Sequence, residues 1–219
     1  MTWKRSFLEK LYRSPLSMIM SSVGNFFAFF QKPFMVYGYF DHGSRSFRKY
    51  TRMSSTVTIM NRKALSVSDH VWVWHNSILD ATEGLSIDEG CQIGAWVGIF
   101  THGSENAIRL LGSSFVNIHN TERVGYTRGS VHIGAYTFVA AGSIILPGVN
   151  IGKGCIIGAG SMVNSDVPDY SIVVGMPGKV MGSTLDIDQS FFKEFDFSHS
   201  YYDKDALRII KDSLQEISD

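Results

Sequence analysis

A parallel β-solenoid with three faces per coil is the fold class the sequence predicts, on three observations. One aliphatic residue recurs every six positions, at Ile133, Val139, Ile145, Ile151, Ile157 and Val163. The position four beyond each is small or β-branched: Thr137, Ser143, Val149, Cys155, Ser161 and Val167. Glycine makes up 21 of the 219 residues beside only 5 prolines, which suits an ordered chain with many turns better than a linker. Apolar positions six apart drift around a helix of 3.6 residues per turn, whereas short strands joined by corners stack them in columns.

The same pattern opens earlier, at Ile59, Val67, Val73, Leu79, Ile87, Ile93 and Ile99, with spacings 8, 6, 6, 8, 6, 6. Each coil is then 20 residues long and carries a two-residue bulge on one corner, so Ile59, Leu79 and Ile99 share an edge. A little over four coils fit between residues 57 and 168. Between Ile99 and Ile133 the chain is about 28 residues too long, so Phe100 to Val131 is expected as an extruded loop, the usual seat of function in a strict solenoid.

The ends are of a different kind. Residues 1–56 read as an N-terminal cap, in which Phe7 to Tyr12 is followed by an apolar stretch from Pro15 to Phe30 interrupted by Ser17, Ser21, Ser22, Gly24 and Asn25. That stretch is too short and too polar to read as a membrane span. A helix packed on the first coil or on a partner is the preferred reading, and peripheral membrane contact is the second. Residues 57–182 form the solenoid, and 183–219 a tail whose Ala206, Leu207, Ile210 and Leu214 repeat at helical spacing over Asp203 to Ile217.

Composition excludes several classes. With 20 Lys and Arg against 20 Asp and Glu the net charge is zero, which offers nucleic acid no basic surface. Two cysteines cannot form a disulfide framework, and both Cys91 and Cys155 fall in the small-residue column as core fillers. No clean secretory leader opens the chain, so a cytoplasmic setting is expected.

The hexads from Ile133-Gly134 through Gly160-Ser161-Met162-Val163, the loop, and the closing Gly175-Met176-Pro177-Gly178-Lys179-Val180 resemble the hexapeptide-repeat acyltransferases. The likeness covers about residues 57–182 and is nearest to the galactoside and maltose O-acetyltransferases and to enzymes that O-acetylate bacterial surface polysaccharides. It implies an all-β solenoid, a left-handed parallel β-helix assembled as a homotrimer, with acetyl-CoA as acetyl donor between subunits and a carbohydrate acceptor. It also implies that a histidine at the loop origin, here His102, is the general base, because a sugar hydroxyl must lose its proton as it attacks a thioester.

The remaining site candidates are read beside that resemblance. One coil beneath Phe100 lies Asp80, placed equally to orient His102 or to cap its own turn. His119 is the second candidate base. Asn76, His119, Arg123 and Tyr126 are candidates for the acceptor, Asn76 being equally a corner-forming residue. For the donor, the small corners Ala140-Ala141 and Gly158-Ala159 would expose backbone amides to the pantetheine arm, Phe138 would wall the acetyl slot, and Lys179 would meet a phosphate or else solvent. Where relatives carry Thr-Lys-Asp this chain has Asn164-Ser165-Asp166, without that lysine. His70, His75 and His102 fall on different corners, so no metal is expected. The rival functions are N-acetylation of an amino sugar, a zinc carbonic anhydrase, and a non-enzymatic scaffold.

Overall fold

A computed structural model describes residues 10, 14, 16–30 and 32–218, so Phe7 to Tyr12, Lys10 apart, lie outside the described residues. The chain divides into two units, residues 1–34 and residues 35–219. In the first, among the described residues, a helix runs over Leu16–Phe30. In the second, an antiparallel hairpin of Met35–Asp41 and Ser46–Ser54 lays its second strand parallel to Trp72–Val73, so pairing with the solenoid begins a few residues before the expected start at 57.

Three parallel sheets follow, and their registers are those the spacing dictates. In the first sheet Met53, Val73, Ile93, Val139, Ile157 and Val173 stand in one column. In the second the column is Ile59, Leu79, Ile99, Ile145 and Val163. In the third it is Val67, Ile87, Ile133, Ile151 and, through a single bridge, Val167. These side chains point into one continuous core, where Leu79, Ile93, Ile99, Ile133, Ile145 and Ile151 are fully buried.

The second column explains itself in hydrogen bonds. Corners leave backbone carbonyls that no rung satisfies, and the small buried residues serve them. Thr137 Oγ1 donates to the Gly152 carbonyl at 2.8 Å, and Ser143 Oγ donates to that of Gly158 at 2.9 Å. Cys91 instead donates its thiol to the Gly134 carbonyl at 3.1 Å, and burial pushes that thiol's pKa up to about 12.

The loop leaves the corner between the second and third sheets, the corner that carries the bulge in the coils below. Its neck is closed by an antiparallel pair, His102 opposite Arg128 and Gly103 opposite Thr127. Beyond the neck lie a short helix, Ala107–Leu111, and the 3₁₀ turns Gly112–Asn117 and Asn120–Glu122.

A second hairpin, Ser171–Gly175 with Gly178–Ser183, closes the solenoid. The tail holds two helices, Thr184–Phe192 and Lys204–Ser218, where the sequence reading had one over Asp203 to Ile217. The helix it missed carries its own start signal: Ser183 accepts from the Leu185 amide, and Asp186 stands three residues after the cap.

Candidate active site

The corner that extrudes the loop is built around a buried carboxylate. Asp80 follows Leu79 in the second sheet, is fully buried, and meets the first residues of the loop neck one coil above. Its Oδ1 accepts from the Thr82 amide at 2.9 Å and the Thr82 hydroxyl at 2.6 Å. Its Oδ2 accepts from the Thr101 amide at 2.9 Å and the Thr101 hydroxyl at 3.1 Å. Burial alone would raise the carboxyl's pKa, but these four donors outweigh it and hold the group below the usual carboxylate range. Asp80 is therefore a fixed anion that caps its turn and still faces the loop.

His102 receives that anion. Its Nδ1 lies 2.7 Å from Asp80 Oδ2, with the ring only 24% exposed. The approach is off the ring's N–H axis, because Nδ1 has no aligned hydrogen-bond partner. Catalytic hydrogen bonds are often poorly aligned before substrate binds. Tyr126 stacks on the imidazole with ring centroids 5.8 Å apart and planes 9° from parallel. Arg128 lies against the same phenol ring, 4.5 Å from the Tyr126 centroid, and its Nε reaches Glu83 Oε1 at 3.2 Å. The imidazole is thus stacked on an aromatic ring, with its Nδ1 side turned toward the Asp80 carboxylate.

Thr101 and Glu83 were missed by sequence reasoning. Thr101 is fully buried, and its hydroxyl accepts from the Glu83 amide at 3.0 Å, which ties the neck to the bulge below it. The stacking of Leu79 under Ile99 brought Asp80 to this level but could not show which hydroxyls turn inward.

Of the other loop candidates, Arg123 reaches this aromatic stack, its guanidinium carbon 5.9 Å from the Tyr126 centroid, and His119 lies elsewhere. His119 caps the Asn120–Glu122 turn, its Nδ1 2.8 Å from Thr121 Oγ1. Arg123 turns back on its own loop, donating from Nε to the Ile118 carbonyl at 3.0 Å and lying 3.9 Å from the Phe115 ring centroid. Both line an open pocket of about 530 Å³ that does not include His102. Asn76 occupies a corner between the first and second sheets in the left-handed conformation, at φ 60°, as its corner-forming reading requires. A further pocket of about 560 Å³ lies on the third sheet around His132 and Lys153, also away from His102.

The residues read for the donor align on one corner column between the first and second sheets. Phe138 is 43% exposed and opens it, and Ala140-Ala141 stack beneath Gly158-Ala159. Val174, next in the column, pairs with Lys179 on the closing hairpin. The amides of Ala140 and Gly158 turn inward, each donating to a carbonyl of a neighbouring coil, whereas those of Ala141 and Ala159, both exposed, donate to no carbonyl among the described residues. The corner therefore combines close approach with one outward amide at each of these two rungs. Within one chain this column and His102 stand on opposite edges of the second sheet.

Among the described residues no group of three His, Cys, Asp or Glu side chains is placed to hold a metal ion. His75 bonds Ser54 and His70 stacks on Tyr50, so neither joins His102.

Residues 130–165 match the bacterial transferase hexapeptide (six repeats) family. An inferred acetyltransferase of Staphylococcus aureus (strain COL) is 42% identical over 66 residues, which are 30% of this chain and 33% of that protein. The serine acetyltransferase of Bacillus subtilis (strain 168) is 30% identical over 138 residues, 61% of this chain and 56% of its own. The chain thus spans between a third and little over half the length of these relatives. Among solved structures, the hexapeptide-repeat acetyltransferase of Vibrio cholerae superposes with a TM-score of 0.52 at 20% identity, covering 60% of this chain and 69% of the other. The form of that enzyme crystallised with acetyl coenzyme A gives a TM-score of 0.50 over 58% and 64% of the two chains at 20% identity. At this identity the likeness is one of fold.

Proposed function

We propose, for a chain that belongs to the hexapeptide-repeat acyltransferase superfamily, that it transfers acetyl from acetyl-CoA to a hydroxyl, and that the hydroxyl is on a sugar of a bacterial surface polysaccharide or its precursor. The observation that carries this reading is His102 Nδ1 lying 2.7 Å from the buried Asp80 carboxylate at the mouth of the loop.

In this reading Asp80 keeps the Nδ1 side of the imidazole as the proton-bearing side, which leaves Nε2 free to accept. As the acceptor hydroxyl's oxygen bonds to the acetyl carbon, its proton passes to His102 Nε2. The imidazolium returns that proton to the departing thiol as the carbon–sulfur bond breaks, so His102 ends neutral. Asp80 stays ionised throughout and stabilises the transient imidazolium. Tyr126 holds the ring in plane, and its exposed edge, with Arg128, offers the acceptor a polar aromatic wall.

Acetyl-CoA supplies the activated acyl group, and the corner column fits a long thin chain: small residues allow close approach, Phe138 walls one end and Lys179 places a cation at the other. Because that column lies on the opposite edge of the second sheet from His102, a complete site takes its donor wall from a neighbouring subunit, consistent with a homotrimer. The sugar, the trimer and the cytoplasmic setting are parts of this proposal.

The test is an acceptor panel: purified protein with acetyl-CoA, hydroxyl sugars, amino sugars and serine, followed by thiol release. Faster release with a hydroxyl sugar supports the reading. Preference for an amino sugar would make the enzyme an N-acetyltransferase, and release with none of them would contradict it.

A further inference from the structure

We propose that the helix Leu16–Phe30 lies in the plane of an anionic lipid surface, with its apolar face toward the acyl chains. Leu16, Ile19, Val23 and Phe26 recur at spacings of three, four and three, which puts them on one face. In a helix that serves a protein core this face is covered. Here these four side chains are 50 to 62% exposed.

Three observations choose a lipid surface as the occupant. The helix carries no charged residue, and the side opposite that face mixes Ser17, Ser21 and Ser22 with Met18 and Phe29, so nothing charged opposes its entry into an apolar layer. Its flanks are basic: within residues 1–40 Glu9 is the only acid, against Lys4, Arg5, Lys10, Arg13 and Lys32. That local excess stands out in a chain whose net charge is zero, and it complements an anionic surface rather than a second copy of itself. Finally, 15 residues rise about 22 Å, short of the roughly 30 Å hydrocarbon layer, and no described helix is long and apolar enough to cross a membrane, so the segment lies on the surface. Tethering the protein there would bring it to acceptors carried on lipid.

The experiment is co-sedimentation of the full chain with vesicles of phosphatidylcholine, with and without phosphatidylglycerol. The wild type is expected to pellet with the anionic vesicles and to be released by salt. Ile19→Ser with Val23→Ser is expected to weaken partitioning at least about ten-fold, and Lys32→Glu about five-fold, with thermal unfolding and solution size unchanged. A wild type that stays in the supernatant with anionic vesicles overturns the proposal, as does undiminished binding by the double variant. A double variant that changes oligomeric size would also overturn it, by placing the helix at an interface between copies.

Discussion

At the scale of single residues the site turns on Asp80, which carries two duties. It accepts four hydrogen bonds from Thr82 and Thr101 and faces His102, so replacing it tests both. Asp80→Asn puts an amide nitrogen where two donors now point, and unfolding should become easier by about 1–3 kcal/mol. If Asp80 also positions the base, kcat should fall about 10- to 100-fold with KM little changed. A loss of stability with kcat intact would reduce it to a turn cap. Because its pKa is held below the usual carboxylate range, Asp80 stays ionised at neutral and mildly acid pH, and kcat between pH 5 and 8 should show no titration assignable to it. Asp80 was legible in the sequence because residues 20 apart stack. Thr101 and Glu83 were not, because register places columns and says nothing of which hydroxyl turns toward the carboxylate. His119 and Arg123 stand out in the sequence by their chemistry, but the local bonds that hold them, His119 to Thr121 and Arg123 to the Ile118 carbonyl, are not legible there.

Among the elements, the corners and the tail latch make separate predictions. At the corner of the first and second sheets, a Cβ added to Gly94 would sit 2.7 Å from the Ala141 amide nitrogen, which neither backbone can relieve. Gly94→Ala should therefore destabilise by about 1–3 kcal/mol in thermal melts, and should weaken donor binding if that corner holds the pantetheine arm. The tail is latched by Asp203, which accepts from Tyr170 Oη at 2.6 Å, Lys153 Nζ at 2.5 Å and the amides of Asp205 and Ala206. Burial would raise this carboxyl's pKa, and the donors outweigh it and hold it well below the ordinary value. The latch's stabilisation is then complete above about pH 4 and is lost as pH falls toward the folded-state value. Unfolding temperatures followed from pH 5 downward should show this decline in the wild type and a smaller one in Asp203→Asn. The latch was illegible from sequence: Lys153, Tyr170 and Asp203 lie up to 50 residues apart, and only folding the tail back unites them.

For the whole molecule, the period of six settles nearly everything about the solenoid, since each rung repeats the one below and every column buries its aliphatic. Leu79→Ala, which empties a fully buried place between the Ile59 and Ile99 rungs, should cost about 2–5 kcal/mol, measured by chemical denaturation. What the period leaves unsaid is where unlike parts meet: the loop's internal turns, the second tail helix, and the donor column set one sheet's width from His102. The chemistry rests on His102, beside Asp80, taking the proton from the acceptor. Comparing kcat/KM for acetyl transfer from acetyl-CoA in the wild type and in His102→Ala, with folding checked by melting temperature, isolates that step. A loss of about 10²-fold or more with an unchanged melt is the predicted result. Turnover equal to the wild type would remove His102 from the mechanism.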